Sequence, residues 1–177
     1  MSGARFCSAC GAELPSPPPV TCARCGTSHW LNPWPCANSI VVDGDRVLLG
    51  RRAHDPWRGL WGSPGGFCEH GEHPIETVER EVREETGYEV DVVRYLGTWV
   101  DRYADDPADL EAGVINVAYY LATLRSDDRG PVDPAEVSEV AWFSWDELPA
   151  DLAPPRTLAR VLEVVRAGPV ELADRPG

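Results

Sequence analysis

Residues 65–88 restrict the fold more than any other part of this chain. The segment opens on two glycines and continues into a dense run of glutamates broken by single apolar residues. Pro74 stands where the first residue of a helix is expected, and Gly87 stands where a helix ends. The pattern therefore predicts a helix over residues 74–86, directly after a glycine-rich loop.

Three carboxylates share one side of this predicted helix. Glu81 lies three residues before Glu84 and four before Glu85, so these side chains occupy adjoining positions. Like charges at this spacing cost a few tenths of a kcal/mol per pair. Hard divalent cations such as Mg²⁺ reverse the penalty because they require several oxygen ligands. The simpler interpretation, a solvated helix, accounts only for the i,i+4 pairs Glu76–Arg80 and Glu79–Arg83.

The N-terminal region contains two C-x-x-C-G knuckles, which together supply four thiols: Cys7, Cys10, Cys22 and Cys25. Four thiolates at this spacing predict a closed, structural Zn²⁺ site in a segment too short for its own core. Two local disulfides or a redox-active pair are the alternatives. A two-residue spacer disfavours the first, and a closed site leaves no free thiolate for the second. His29 is the only spare ligand nearby, and a surface histidine is the better interpretation of it.

The net charge of the chain limits the molecules that it is expected to bind. The chain has 177 residues and a net charge of −13, and all 16 of its basic residues are arginine. An acidic body repels a phosphate backbone, so binding of nucleic acid is not expected, whereas a small phosphorylated substrate bridged by a metal ion is. No apolar run is long enough for a membrane span, and the start of the chain offers no signal peptide. A cytoplasmic protein without a membrane partner is expected.

The remaining pattern predicts an α+β fold and not alternating βαβ units. Residues 29–36 read as an extended connector and residues 53–66 as a loop. The expected domains are a ribbon with its connector at 1–35, a main domain at 36–167 and a tail at 168–177. Strands are predicted at 37–43, 46–51, 88–103, 114–124 and 137–143, with helices at 74–86 and 155–167.

The glutamate-rich segment resembles the Nudix box, G-x5-E-x7-R-E-U-x-E-E-x-G-U, in which U is a bulky apolar residue. All fixed positions match over 23 residues, and Tyr88 is aromatic where an aliphatic residue is commoner. The resemblance covers about residues 36–167. It implies a Nudix α/β/α sandwich with a mixed sheet, preceded here by a small zinc ribbon. The matching residues are Gly66, Glu72, Arg80, Glu81, Val82, Glu84, Glu85, Gly87 and Tyr88.

The resemblance also implies a pyrophosphohydrolase that cleaves a nucleoside diphosphate linked to another group. Glu81, Glu84 and Glu85, with the backbone carbonyl of Gly65, would hold Mg²⁺ or Mn²⁺. Arg80 and Glu72 would orient the loop against the helix. Glu84 or Glu85 is the first choice for the general base, and Glu111 in the acidic loop 104–113 is the alternative.

The substrate is less well determined. A zinc ribbon before a Nudix domain is similar to the NADH pyrophosphatases and to ribbon-bearing enzymes that act on FAD or ADP-ribose. The Ser-Gln-Pro-Trp-Pro-Phe-Pro signature of the NADH group is absent, and residues 95–103 stand in its place. ADP-ribose or FAD is therefore preferred over NADH. A housecleaning hydrolase of nucleoside triphosphates and a non-catalytic sensor with a Nudix fold are the alternatives.

Four side chains are expected to contact such a substrate besides Glu111. Trp57 and Trp99 are candidates for stacking on a base or flavin ring. Arg51 and Arg52 end a predicted strand, and one of them is a candidate phosphate contact, with a surface ion pair as the alternative. The resemblance is compatible with a homodimer.

Overall fold

The computed structural model describes residues 4–106 and 113–168. Nearly all of the predicted tail, including residues 169–177, and the acidic-loop residue Glu111 lie outside these ranges. Among the described residues, no helix is both long and apolar enough to cross a bilayer. The elements are β1 (Val20–Thr21), β2 (Ser28–His29), β3 (Trp34–Asp43), β4 (Arg46–Arg52), β5 (Trp61–Gly62), β6 (Gly65–Phe67), α1 (Pro74–Thr86), β7 (Val90–Arg102), β8 (Val114–Leu124), β9 (Val137–Ser144), β10 (Leu152–Ala153) and α2 (Pro155–Arg166).

The main sheet is mixed and is organised around β3. On one side β3 pairs in parallel with β8, which in turn pairs antiparallel with β7. On the other side it pairs antiparallel with β4 near their hairpin and with β6 further along. β4 also pairs with β5 and β9. Because β3 and β4 diverge, the short strands β5 and β6 fit between them, and the glycine-rich loop reaches the middle of the sheet.

Each face of the sheet carries one helix and one core cluster. Val78 and Val82 of α1 are fully buried with Val41 and Leu48 of the sheet. On the opposite face, α2 packs its apolar side into a second cluster that contains Leu158, Val161, Leu162, Ile40, Leu49 and Tyr119. Burial of each large aliphatic side chain contributes roughly 1.5–3 kcal/mol. This two-helix sandwich around a mixed sheet confirms the predicted fold class.

Helix α1 has the predicted bounds. His73 caps its N-terminus: the ring accepts the Ile75 N–H at 3.2 Å, and the Glu76 carboxylate accepts the His73 N–H at 2.8 Å. Gly87 ends the helix in the left-handed region, and its N–H donates to Arg83 O at 3.0 Å. Both signals are local, which explains why they could be read from the sequence.

The prediction for the segment before β3 is wrong in part. Residues 29–36 are not all connector, because β3 begins at Trp34 and pairs from there with Ile115 of β8. The loop predicted over residues 53–66 contains β5 and the start of β6. These short strands are held by neighbouring strands distant in the chain, so no local periodicity marks them.

Candidate active site

Two glutamates of α1 and one from a distant connection converge on one point. Carboxylate oxygens of Glu81, Glu85 and Glu136 all lie within 4.8 Å of one another. Glu81 is buried, with 8% exposure, Glu85 is half-buried and Glu136 is exposed. Three anionic groups this close repel one another unless a cation neutralises them. Their oxygens are the donors that Mg²⁺ and Mn²⁺ prefer, so the residues fit a divalent metal ion.

The structure separates the three glutamates that the sequence grouped on one helix face. Glu81 and Glu85 enter the cluster, whereas the Glu84 side chain is 49% exposed. Its Oε2 lies 3.2 Å from Nη1 of Arg80. Glu136 is thus the third carboxylate of the cluster, and the predicted role of Glu84 as a metal ligand stays a prediction.

The glycine-rich loop approaches both helix carboxylates through its backbone. The Gly65 N–H donates to Oε2 of Glu85 at 2.9 Å. A Cβ atom on Gly66 would lie 2.5 Å from Oε1 of Glu81, so any side chain there would displace that carboxylate. The predicted role of the Gly65 carbonyl as a metal ligand stays a prediction.

Arg80 connects the same loop to α1. Its guanidinium donates to Glu72, to Oε1 of Glu81 at 2.7 Å and to the Phe67 carbonyl at 3.2 Å. The side chain of Arg80 is only 20% exposed, so its guanidinium pairs mainly with protein groups and not with water. This placement is compatible with the predicted orienting role of Arg80 and Glu72.

Burial and hydrogen bonding change the acidity of these carboxyls in opposite directions. Desolvation raises the pKa of Glu85 to about 8, although the Gly65 N–H opposes the shift. Desolvation also raises the pKa of Glu81, against the effect of Arg80. Hydrogen bonds from Arg80 lower the pKa of Glu72 to about 2. The metal-free cluster therefore binds protons that a cation must displace.

A cleft of about 380 Å³ opens beside the cluster. Its polar side includes Glu81, Glu136 and Arg52, and its apolar side includes Phe67 and Tyr103. The ring of Phe67 is 40% exposed and makes edge contacts with Tyr103 at 5.3 Å and with Trp34 at 5.6 Å. Together these groups place an acidic candidate metal site, the Arg52 guanidinium and an aromatic surface around one opening.

The two predicted arginines lie in different environments. Arg52 lines the cleft and is held there: Nε donates to Pro56 O at 2.9 Å and Nη2 to the Tyr103 hydroxyl at 3.2 Å. Arg51 is exposed, and its Nη1 lies 3.6 Å from Oε2 of Glu139. This contact corresponds to the surface ion pair that was the alternative for this residue. Only Arg52 of the pair is among the residues around the cleft.

The two predicted tryptophans do not line this cleft. Trp57 is only 6% exposed, and its ring contacts Tyr103 and the Arg52 guanidinium. Trp99 is half-buried against Tyr119 at 5.4 Å. The exposed aromatic ring of the cleft is that of Phe67, which the sequence analysis did not single out. Its position directly after Gly66 in the box was the available signal.

Glu136 was also missed. It directly precedes β9 and is separated from the box by two strands, so no short-range spacing connects it to Glu81 or Glu85. The available signal was a lone glutamate at the end of the polar connection between β8 and β9. Tertiary structure alone brings it to the cluster.

The four predicted thiols form a separate site in the N-terminal region. Their sulfur atoms lie within 4.8 Å of one another, with 3.6 Å between Cys7 and Cys25 and 3.7 Å between Cys10 and Cys22. A tetrahedral zinc site with Zn–S bonds of about 2.3 Å needs sulfur separations of about 3.8 Å, whereas a disulfide needs about 2.0 Å. The arrangement fits zinc. His29 Nε2 lies 3.3 Å from Cys7 Sγ.

A mixed sheet between two helices, in which α1 directs Glu81 and Glu85 toward a glycine-rich loop, is the arrangement of one class of domain. The sequence profile of that class, the NUDIX domain, matches residues 33–162. The chain belongs to the NUDIX domain family. This membership confirms the family expected from the box and agrees with the enzyme class expected from it.

Particular relatives narrow the comparison. The NAD-capped RNA hydrolase NudC of Vibrio vulnificus is 32% identical over 162 residues, which are 89% of this chain and 57% of the relative. The human mitochondrial NAD(P)H pyrophosphatase NUDT13 is 34% identical over 114 residues, 64% of this chain and 30% of the relative. A NUDIX hydrolase from Nitrosomonas europaea has a TM-score of 0.73 and 28% identity, covering 93% of this chain and 94% of that one.

The chain spans little more than half the length of the NudC relative and under a third of NUDT13. The names of these relatives describe their own substrates and compartment. Since one acts on capped RNA, the expectation that this chain does not bind nucleic acid stays a prediction, as does a cytoplasmic location.

Proposed function

We propose that this chain hydrolyses the diphosphate bond of a nucleoside diphosphate linked to a second group, with a divalent cation as cofactor. The observation that carries the proposal is the convergence of Glu81, Glu85 and Glu136 beside a cleft of nucleotide-compatible chemistry. A bound Mg²⁺ or Mn²⁺ supplies charge neutralisation for the diphosphate and lowers the pKa of an attacking water.

The residues of the chain contribute binding, orientation and proton transfer. Glu81, Glu85 and Glu136 hold the cation, and Arg52 offers a fixed positive charge to a phosphate oxygen. Arg80 and Glu72 keep the glycine loop against α1. Glu85 is preferred over Glu84 as the proton acceptor because it lies inside the cluster, whereas Glu84 is drawn to Arg80 at its edge. Glu111 lies outside the described residues and stays the predicted loop alternative, and Glu136 is a second loop candidate.

The aromatic side of the cleft supports a substrate with a planar ring. The exposed face of Phe67 is available for stacking, which contributes roughly 1–3 kcal/mol per base. ADP-ribose and FAD are the substrates preferred from the sequence. The names of the NudC and NUDT13 relatives add NAD(H) as a candidate of equal standing. All three contain an adenosine diphosphate, so the shared chemistry is cleavage of a dinucleotide-like diphosphate.

We further propose that zinc closes the four-cysteine site as a structural ion. The sulfur separations support this, as do the matching knuckle bonds from Gly11 N to Cys7 O and from Gly26 N to Cys22 O, both 2.9 Å. The ion would supply the cohesion that a cluster of only a few buried residues lacks.

The test is Mg²⁺-dependent hydrolysis of FAD, ADP-ribose, NADH and nucleoside triphosphates, with the products separated. Wild type is expected to release two monophosphate products from at least one dinucleotide. Glu85→Gln is expected to lower kcat/KM at least about 100-fold. Glu79→Gln, on the same helix but outside the cluster, is the matched control and is expected to retain activity.

Two other results would replace the proposal. Release of pyrophosphate from nucleoside triphosphates, with no cleavage of dinucleotides, would identify the housecleaning alternative. Binding of a nucleotide by wild type without any hydrolysis would identify a sensor.

A further inference from the structure

The connection between β8 and β9, residues 125–136, ends on Glu136 and is called the Glu136 loop here. It has no regular secondary structure, yet it is attached to the C-terminal end of α1 at three points. Each point satisfies a carbonyl at or next to the helix end, where intrahelical donors run out. The bonds are Arg129 Nε to Thr86 O at 2.9 Å, Gly130 N to Gly87 O at 2.7 Å and Asp133 N to Glu84 O at 3.2 Å.

Arg129 makes the side-chain contact of the three, and it makes it in two ways. Its Nε donates to Thr86 O, and its guanidinium lies over the Tyr88 ring at 5.6 Å. A cation near the C-terminus of a helix is also favoured by the helix dipole. Tyr88 is the position of the Nudix box at which this chain has an aromatic residue in place of an aliphatic one. An aromatic ring at this position can make a cation–π contact with Arg129, which an aliphatic side chain cannot.

Gly87 allows the loop to come this close. A Cβ atom at this position would lie 2.3 Å from the Gly130 carbonyl oxygen, and the φ of +76° is one that side chains disfavour. The loop backbone thus packs directly on the helix end. Beyond this contact the chain turns at Asp133 and reaches Glu136, whose carbonyl accepts the Ala53 N–H at 2.9 Å.

The attachment is needed because the Glu136 carboxylate lies close to two other carboxylates. Repulsion from the carboxylates of Glu81 and Glu85, wherever these are ionised, favours a loop that moves away, and so does the conformational entropy of an irregular segment, roughly 1–2 kcal/mol per residue. Contacts remote from the carboxylates must offset both effects if the cluster is to be assembled before the cation arrives.

We propose that Arg129 is a positioning residue for metal binding: by attaching the Glu136 loop to the C-terminal end of α1, it holds the Glu136 carboxylate beside Glu81 and Glu85. The inference rests on the proposed function, since it takes Glu136 as a ligand of the divalent cation. Arg129 does not line the cleft and acts through Glu136.

The experiment measures the Kd for Mn²⁺ by electron paramagnetic resonance, on the full chain with its zinc content verified and without substrate. Four proteins form a double-mutant cycle: wild type, Arg129→Ala, Glu136→Gln and the double variant. Each single substitution is expected to weaken Mn²⁺ binding about tenfold, in the range for supporting residues of metal sites. In the Glu136→Gln background, Arg129→Ala is expected to change the Kd less than about twofold.

Two further variants separate positioning from general stability. Arg125→Ala removes a nearby arginine of the same loop, which pairs with Glu79, Glu89 and Asp91 on the surface, and should leave the Kd within about twofold of wild type. Arg129→Lys retains a cation for the carbonyl and the ring, and should recover part of the lost affinity. If Arg129→Ala does not fold, Tyr88→Leu removes the ring under the Arg129 guanidinium, together with its edge contact with Trp142, and should weaken Mn²⁺ binding about threefold.

The outcomes distinguish the two proposals. If Glu136→Gln weakens binding and Arg129→Ala or Tyr88→Leu does not, the positioning role is overturned and the proposed function stands. An equal loss from Arg129→Ala in both backgrounds also overturns it, because the effect would then not pass through Glu136. If Glu136→Gln leaves the Kd for Mn²⁺ unchanged, Glu136 is not a ligand, and the positioning role of Arg129 is overturned with it.

Discussion

Glu72 and Arg80 face each other through two parallel hydrogen bonds, Nε to Oε1 at 2.9 Å and Nη2 to Oε2 at 3.0 Å. The Thr77 hydroxyl and the Glu69 N–H donate to the same Oε2 at 2.7 and 2.9 Å. The side chains are 14% and 20% exposed, so the pair is largely shielded from water. It joins the loop after β6 to α1, and losing either partner leaves the other charge poorly solvated.

We expect Glu72→Gln to lower the free energy of unfolding by about 1–3 kcal/mol at pH 7. The pKa of Glu72 in the folded chain is lowered to about 2, from an ordinary 4.5, chiefly by hydrogen bonds from Arg80. Its stabilising contribution is therefore present above about pH 4.5 and is lost as the pH falls toward 2. Urea unfolding of wild type and variant at pH 7, 4.5 and 3 measures this. A difference that stays constant over that range would contradict the assignment.

Mg²⁺ should stabilise the chain more at pH 9 than at pH 6. Burial raises the pKa of Glu85 to about 8 in the metal-free protein. A raised carboxyl pKa contributes stability that is full below about pH 4.5 and is lost as the pH rises through 8, and the cation replaces the departing proton. The shift in Tm on adding Mg²⁺, followed from pH 6 to 9, measures this coupling. Glu85→Gln should reduce this pH dependence and leave the part that comes from the raised pKa of Glu81, and a flat profile in wild type would count against the cluster as a metal site.

Arg52→Ala should raise KM for the hydrolysed dinucleotide about 10- to 100-fold, because a charge-assisted hydrogen bond to phosphate is worth about 1.5–3 kcal/mol. Arg51→Ala is the matched control: its side chain is exposed and near Glu139, so KM should change less than about twofold. Steady-state kinetics of both variants decides between the two arginines. The reverse order of effects would assign the phosphate contact to Arg51.

Phe67→Ala should raise KM about tenfold for a substrate with an aromatic ring, from the loss of stacking. Trp99→Ala is the comparison, since Trp99 packs on Tyr119 and not around the cleft; it should lower Tm more than it changes KM. Kinetics and thermal unfolding of both variants provide the measurement. A larger change of KM in Trp99→Ala would restore the stacking role predicted from the sequence.

Removal of zinc should unfold the N-terminal region and leave the sandwich folded. The core of that region consists of Cys7, Leu14 and Cys22, and the two clusters of the sandwich contain no residue from 4–29. We expect elemental analysis of the purified protein by mass spectrometry to find one zinc ion per chain. After chelation, backbone NMR signals of residues 5–29 should collapse while those of β3 and α1 persist. Loss of both sets together would show that the N-terminal region and the sandwich fold as one unit.

Local chemistry made part of the candidate site readable from the sequence. The bounds of α1 follow from Pro74 and Gly87, and the four-residue spacing of Glu81 and Glu85 places them together on any helix. The knuckles likewise bring two thiols together at each C-x-x-C. In these cases the partners are close in the chain, so backbone geometry alone sets their separation.

Other features depended on contacts between distant segments. Trp34 joins β3 because β8 offers it a partner, and Glu136 meets Glu81 because the Glu136 loop packs on the end of α1. Glu84 shares the helix face but turns to Arg80, a choice made by side-chain packing.

The sequence by itself determined the family, helix α1 and the two sets of candidate metal-binding side chains that lie within short segments. Tertiary structure decided which carboxylates meet, which arginine reaches the cleft and which aromatic ring stays exposed. The physical reason is range: hydrogen bonding along a helix or within a knuckle is specified by neighbouring residues. Convergence across the sheet depends instead on strand pairing and on the packing of both helices, which no local pattern encodes.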